Sequence, residues 1–581
     1  MKSSSVTRRR FLRTAPTAAV APILMRSAAW GAAPGHKLQV DVCIYGGVSG
    51  GVIAAVALGR LGRSVALVEP TRHLGGMTSG GLGWVDIKIG GVRAFGGLTG
   101  EYYRRVREYY AAKGVDVAKF GNDGAVAEPH VAEVVLEQML GEQTKHITIF
   151  RESRVASVRK EGRRIRTLVL DKAPVDRRGA PAPEPMERSY VSISASMFID
   201  ASYEGDLLAA TGISHRGDRE SRDEYGEKQA GILLSDKTEF GIALDPYVKP
   251  GQPSSGLIPL VSSQPLGTMG SSSPFIQAYN FRLCLVKDNP IPIQPGANYN
   301  PATYEILARM LAAQSAAGHP FRAEQMHMPG MGRLLKFSAL PNGKTDVNNA
   351  APVSMDFVTG GAERYAKASW PERASLWHAH EDYQRGLYYF LQNDPRVAPD
   401  IRADLALWGL PRDEFQDTNG WPTQLYVREA RRLIGTYVMR QSDCENPPKR
   451  LPDSVGLGTY SLDSHGCQRV AVGGRIVPEG EFYNRIAGSY PISYKILTPR
   501  AEECENLLVT FCVSASHVCF ASIRMEPPFM VLSESAALAA HSALEEGTSV
   551  QGINPQRFIK RIREAGQIVM PVDIPRAKGC N

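Results

Sequence analysis

An α/β fold built on a dinucleotide-binding βαβ unit is predicted by three features near the amino terminus. An apolar strand runs into glycines, a helix rich in Ala, Val and Leu follows, and a second strand ends in an acid. Residues 38–45 are apolar and partly β-branched, as a buried parallel strand requires. Gly46 permits the tight turn out of that strand, and Gly51 lets the helix over residues 50–61 pack close to the sheet. The start of that helix offers backbone N–H groups and a partial positive charge to a diphosphate. Residues 64–68 form the second strand. Glu69 closes it at the spacing of an acid that bonds ribose hydroxyls. Val48 stands where the full fingerprint has its middle glycine, and its side chain pushes the backbone away from the phosphates.

The next segment selects the cofactor. Residues 71–83 (TRHLGGMTSGGLG) come directly after the acid, where a nicotinamide domain continues into another helix and strand. A glycine-dense loop can instead lay its amides along a diphosphate and a flavin ring. FAD is the expected cofactor.

Composition narrows the class further. The chain has 581 residues and a formal charge of +8. Lys2, Arg8, Arg9, Arg10, Arg13 and Arg26 lie in residues 1–34, which contain no acid. Residues 7–13 (TRRRFLR), an apolar stretch and small residues at 28–33 have the form of a twin-arginine export signal. The expected partner is the twin-arginine machinery and the expected location the periplasm or beyond. Without the signal the chain is nearly neutral, so no nucleic-acid surface is expected, and no later run of 18 apolar residues provides a membrane anchor. Eight scattered cysteines are too few for a disulfide scaffold, and the absence of C-x-x-C weighs against a disulfide reductase; Cys512 and Cys519 could pair in an oxidising compartment, but buried free thiols are the expectation. No zinc-like Cys/His spacing occurs, so no metal is expected.

Further along, helices are expected over 128–143, 304–316, 374–393, 424–439 and 528–545. Strands are expected over 147–170 as an antiparallel meander, and over 190–199, 279–286 and 504–516. Residues 172–187 and 251–274 are polar loops, the second a candidate lid.

The segments HLGGMTSGGLGW, EPHVAE, DASYEGD, YNFRLCL, LYVREARR, SHGCQR and SASHVCFASIRMEP together resemble a family of exported bacterial FAD-dependent oxidoreductases, some labelled xanthan-lyase-like. The resemblance implies a glutathione-reductase-type FAD-binding Rossmann-like domain, discontinuous in sequence, with an inserted α+β substrate domain. The implied boundaries are a signal over 1–34, FAD-binding segments at 37–235 and 441–550, the substrate domain at 236–440, and a tail at 551–581. It places Gly46, Gly47, Val48, Gly51, Glu69, Arg72, His73, Gly75, Gly76, Met77, Asp200 and Ala201 against FAD, with Ser535 and Ala536 at the flavin's pyrimidine edge. Residues 533–537 (SESAA) and Phe511 depart from the family pattern there. His73 also resembles the histidine that links covalently to flavin in fumarate-reductase relatives.

Flavin oxidation of an alcohol needs a base beside the hydride donor. His465, in Asp-Ser-His, and His517, in Ser-Ala-Ser-His, are the candidates, with Arg524 to bind an anionic substrate or stabilise reduced flavin. Arg428 and Arg282 are secondary choices. The expected activity is hydride transfer from a small polar substrate, a sugar or glycoside among them, to FAD. A lyase or isomerase without net oxidation and a flavin electron carrier are the alternatives. The electron acceptor stays open.

Overall fold

The computed structural model describes residues 35–87, 89–234, 242–326, 334–445 and 451–575; the expected export signal lies outside them. Strands β1 (His36–Tyr45), β2 (Val65–Val68) and β3 (Ile147–Phe150) run parallel, with Val42 opposite Val65 and Val65 opposite Ile147. β4 (Ser153–Glu161), β5 (Arg164–Lys172) and β6 (Glu187–Asp200) complete the order β3-β2-β1-β6-β5-β4. The β4–β5–β6 ladders are antiparallel, but β6 lies parallel to β1, with Tyr45 opposite Asp200. Val42 to Tyr45 are fully buried, because both faces of the sheet are covered and neither is left to solvent. Val42 and Ile44 share an apolar cluster with α1 (Ser49–Arg60), α2 (Gly97–Ala111) and α3 (Pro129–Gly141), while Cys43 and Tyr45 pack in a second cluster with Ile165, Leu168 and Leu207.

The inserted region opens with a three-stranded antiparallel sheet, β7 (Leu283–Val286), β8 (Leu335–Ala339) and β9 (Lys344–Asn349), in the order β7-β9-β8. α4 (Trp370–Asn393) follows, with the Ser369 hydroxyl accepting from the Glu372 N–H and Pro371 in the first turn. The helix expected over 424–439 does not form; that stretch is extended or irregular, with a two-residue strand at Arg432–Leu433 and single bridges at Tyr426 and Met439. Its charged residues Arg428, Glu429 and Arg432 all point inward to buried partners, so its apolar spacing never had a solvent face to define.

The chain then returns to the first sheet. β10 (Leu462–Ser464) pairs with β11 (Phe482–Asn484), and β12 (Leu507–Val509) joins β6 in parallel, Val509 opposite Asp200. α5 (His517–Ile523) leads into α6 (Glu526–Glu546), which packs along α1. The approach is close: a Cβ on Gly50 would lie 2.4 Å from the Ser533 Oγ. The segment expected as a tail carries α7 (Pro555–Glu564), whose Phe558 packs on Tyr494 with ring centroids 4.8 Å apart. Cys519 meets Cys444 (Sγ–Sγ 3.2 Å), not Cys512, whose thiol faces the carbonyls of Ser202 and Tyr203. No helix among the described residues is long and apolar enough to cross a membrane.

Candidate active site

The nucleotide end is a cradle of backbone. Gly46 has φ +104°, and a Cβ there would lie 2.6 Å from the main chain of Ala201 and Ser202. A Cβ on Gly51 would come within 1.8 Å of the Gly46 carbonyl oxygen, so α1 can approach the turn only as glycine. Val48 is extended, precedes α1 without a side-chain cap, and forms a parallel bridge with Gly75. No acid of α1 itself occupies its first turn, and the Ser49 hydroxyl there bonds the carboxylate of Glu526. Glu69 accepts from the Gly47 N–H and the Thr71 N–H, both at 2.7 Å. Burial raises its pKa, and these bonds oppose the rise.

Gly46, Val48, Glu69 and Thr71 line one cleft beside the turn after β1. Ser202 to Glu204 and Asp206 continue the wall. Its outer side comes from the inserted region: Trp370, Arg373 and Trp377 of α4, with Arg154 from β4. The Arg154 and Arg373 guanidinium carbons stand 4.3 and 4.5 Å from the centroid of the Trp370 ring. Arg373 is held by Asp206 through bonds of 2.7 and 3.0 Å. A glycine cradle, a buried carboxylate at the end of β2 and an aromatic wall fit FAD. Sequence reasoning did not find the α4 residues, because tryptophans spaced along a helix read as packing.

Several expected contacts fall elsewhere. Asp200 turns away from the cavity: its carboxylate accepts from the Ser202 N–H (2.9 Å), the Ser202 hydroxyl and the Leu208 N–H (2.7 Å). Burial pushes its pKa up to about 6, and these donors restrain it. Ala201 lies behind Gly46, and both shape the turn that presents residues 202–206. Arg72 is exposed and pairs with Glu152 and Asp417. His73 has both ring nitrogens committed, Nδ1 to Glu133 and Nε2 to Asp417, each at 3.0 Å. Burial lowers its pKa, but the two carboxylates outweigh that and raise it to about 9. A charged, doubly bonded imidazole outside the cavity has no free nitrogen for a covalent link to flavin. Gly75 and Gly76, both at positive φ, carry the loop past Val48, and the Met77 N–H donates to the Tyr203 hydroxyl at 2.9 Å.

Ser535 and Ala536 also depart from expectation. α6 begins at Glu526, with Met525 extended before it and Pro527 and Pro528 in its first turn, so residues 535–536 lie more than two turns in. The Ser535 hydroxyl is spent on the carbonyls of Val455 and Val531 and on Gln567. At the true start of the helix, the buried Glu526 carboxylate takes hydroxyls from Ser49, Thr78 and Tyr203, tying α1 and the glycine loop to α6.

The three expected catalytic side chains do converge. The Arg524 Nη2 lies 3.9 Å and the His465 Nε2 4.0 Å from the same Asp463 oxygen. Arg524 also donates to the Asp463 carbonyl (2.8 Å) and the Tyr426 hydroxyl (3.2 Å). His465 Nδ1 bonds Asp356 at 2.7 Å. Burial and the nearby Arg428 push the His465 pKa down to about 4 against the pull of Asp356, so the ring is neutral at pH 7. His517 Nδ1 bonds Glu429 at 2.7 Å, and its Nε2 faces the Ser464 hydroxyl at 3.5 Å in a fully buried position. Asp356 is the hub: one oxygen takes His465, and the other takes Asn280 Nδ2 (2.7 Å) and Arg428 (2.9 Å). Burial raises the Asp356 pKa, but Arg428 and His465 overcome this and bring it to about 2. The glycine loop closes on the same place, since Arg282 pairs with Asp346, whose other oxygen accepts from the Trp84 N–H at 2.8 Å. Asp356 lies in no segment the sequence marks, and Asn280 and Glu429 lie in marked segments that do not show their partners; only the fold brings the three to the histidines.

Elsewhere Glu128, His130 and Glu414 gather, but the Lys344 ammonium already stands between the two glutamates at 2.8 and 2.7 Å.

A cofactor cradle on a parallel sheet, closed by an inserted cap, defines a flavoenzyme fold. The chain belongs to the FAD-dependent oxidoreductase family, whose model matches residues 41–565, and FAD is its cofactor. Among curated proteins none matches the chain. The chain is similar to a geranylgeranyl bacteriochlorophyll reductase-like protein from Thermoplasma acidophilum (12% identity, 91% of this chain and 84% of that one, TM-score 0.32). It is also similar to THI4 from Thermovibrio ammonificans (19% identity, 30% and 64%, TM-score 0.21). With L-proline dehydrogenase from P. horikoshii the identity is 15% and the TM-score 0.16; the match takes 33% of this chain and only 26% of that one.

Proposed function

We propose that this protein is an exported FAD-dependent dehydrogenase or oxidase that removes a hydride from a C–H bond of a small polar substrate. The observation that carries the reading is the Asp356–His465 pair, a neutral imidazole 2.7 Å from a buried carboxylate where the glycine loop, the inserted region and α5 meet. When bound, FAD accepts the hydride; Gly46, Gly47, Val48, Glu69, Gly75 and Gly76 are the residues that would hold it. The chain's own task is the proton. Asp356 takes the Nδ1 hydrogen of His465 and fixes the tautomer that leaves the Nε2 lone pair free to accept the substrate's hydroxyl proton. Glu429 fixes the buried His517 in the same way, and His517 acts as a positioning residue through Ser464. Export rests on the twin-arginine pattern at residues 7–13. It fits a cofactor walled in by chain segments far apart in sequence, which is loaded where FAD is made.

Anaerobic mixing of the purified holoprotein with sugars and hydroxy acids tests the reading. Bleaching of the flavin by a substrate, slowed in His465→Gln with FAD still bound, is the expected result. Turnover of a substrate without any bleaching would make the protein a lyase or isomerase.

A further inference from the structure

The charges around Asp356 balance, but the hydrogen bonds do not. Arg282, Arg428 and Arg524 are each at most 4% exposed, and each has an aspartate nearby: Asp346, Asp356 and Asp463. Yet Arg428 Nε and Arg524 Nε have no hydrogen-bond partner among the described residues, and Arg428 Nη2 meets Asp356 only as an ion pair. Both guanidinium groups bracket one side chain. Arg428 stands 4.6 Å from the centroid of the Tyr426 ring, while Arg524 bonds the Tyr426 hydroxyl. One acceptor is idle beside them: Asn280 Oδ1 is fully buried without a partner, and its amide is oriented by the bond from Nδ2 to Asp356. Buried polar groups are rarely left unpaired, so two guanidinium Nε donors and an amide oxygen idle around Asp356 and Tyr426 point to a ligand that satisfies them.

Resting on the reading of this site as an oxidoreductase centre, we infer that the substrate is a hydroxycarboxylate, its carboxylate held by Arg428 and Arg524 and its hydroxyl by Asn280 and His465. The complementarity is chemical. Guanidinium N–H groups seek carboxylate oxygens, whereas the Asn280 oxygen and the His465 Nε2 both seek a hydroxyl hydrogen. The same arrangement places the hydroxyl proton on the group proposed to remove it. In the balanced step, the carbinol C–H leaves as hydride and reduces FAD. The hydroxyl proton goes to His465 Nε2, and the hydroxy acid becomes the corresponding oxo acid.

Oxalate, which presents carboxylate oxygens but no oxidisable C–H, is the probe. Titrated into the holoprotein, it is expected to perturb the flavin absorbance with saturation. Arg428→Lys keeps the positive charge but removes the Nε donor, and is expected to weaken oxalate about tenfold or more while FAD content is unchanged. Asn280→Ala is expected to leave oxalate affinity in place and to raise the KM for a hydroxy acid. No saturable effect of oxalate on wild-type protein would overturn the inference. So would an Arg428→Lys variant that binds oxalate normally but holds FAD weakly, because the idle donors would then serve the cofactor's own carbonyl edge. Flavin bleaching by neutral sugars alone would overturn the hydroxycarboxylate and leave the oxidoreductase reading intact; turnover without bleaching would end that reading, while oxalate titration still decides the anion site.

Discussion

The nucleotide end of the site is made of backbone and the substrate end of side chains. At the first, Gly46 and Gly51 let main chain approach main chain, Gly47, Gly75 and Gly76 make room for packed side chains, and the one charged group facing inward from the βαβ unit is Glu69. At the second, Asp356 alone joins an asparagine, an arginine and a histidine, and each of those reaches a different segment. A backbone site depends on the absence of atoms, so it is broken by adding a methyl group. A side-chain site depends on paired charges, so it is broken by removing one.

Gly51→Ala should break the first end most completely, since its Cβ would sit 1.8 Å from the Gly46 oxygen; the variant should purify without bound FAD, read from its absorbance. Asp356→Asn should break the second end, costing about 3–5 kcal/mol in urea unfolding of the holoprotein because it leaves Arg428 buried and unpaired. FAD content should survive this change, and its loss would merge the two ends into one unit. His465→Gln should cut the rate of flavin reduction by roughly 10²–10⁴ with FAD retained. Because the His465 pKa is depressed to about 4, the acid limb of kcat/KM should lie near pH 4 rather than near 6.5. The same depression favours the folded state fully above pH 6.5. That contribution is lost as pH falls from 6.5 towards 4, since the unfolded chain takes up its proton first. Trp370→Ala should be milder, raising the FAD dissociation constant by about tenfold, as measured by fluorescence on release, without changing the His465-dependent rate. The smallest effect belongs to His73→Gln. FAD should remain non-covalent and be released by acid in both proteins. The stability His73 contributes through its raised pKa should be present below pH 6.5 and lost as pH rises through about 9.

The first end was legible because local sequence writes it: strand, glycine turn, helix and acid are contiguous, and β1, α1 and β2 appear within two residues of expectation. For the histidines at 465 and 517, their neighbours in sequence mark them as candidates but do not show their partners. Their carboxylates, Asp356 and Glu429, are 109 and 88 residues away, and no periodicity marks an acid that faces inward from an irregular segment. Ser535 and Ala536 failed for a different reason. An alanine-rich run marks a helix interior as readily as a helix start, and Pro527 and Pro528 were the better signal for where α6 begins. The placement of 424–439 as a helix failed because spacing cannot separate an amphipathic face from a stretch buried on all sides.

The strand at Leu507–Val509 and the helix at Glu526–Glu546 are the last pieces to reach the first sheet, although the turn they support is at residue 46. A ribosome therefore releases most of the chain before the opening strand acquires its final neighbours. Until then the early segment must persist as an incomplete layer with apolar surface uncovered, which makes the unfinished polypeptide a natural client for chaperones. Quality control would then amount to checking whether the end of the message has found its beginning.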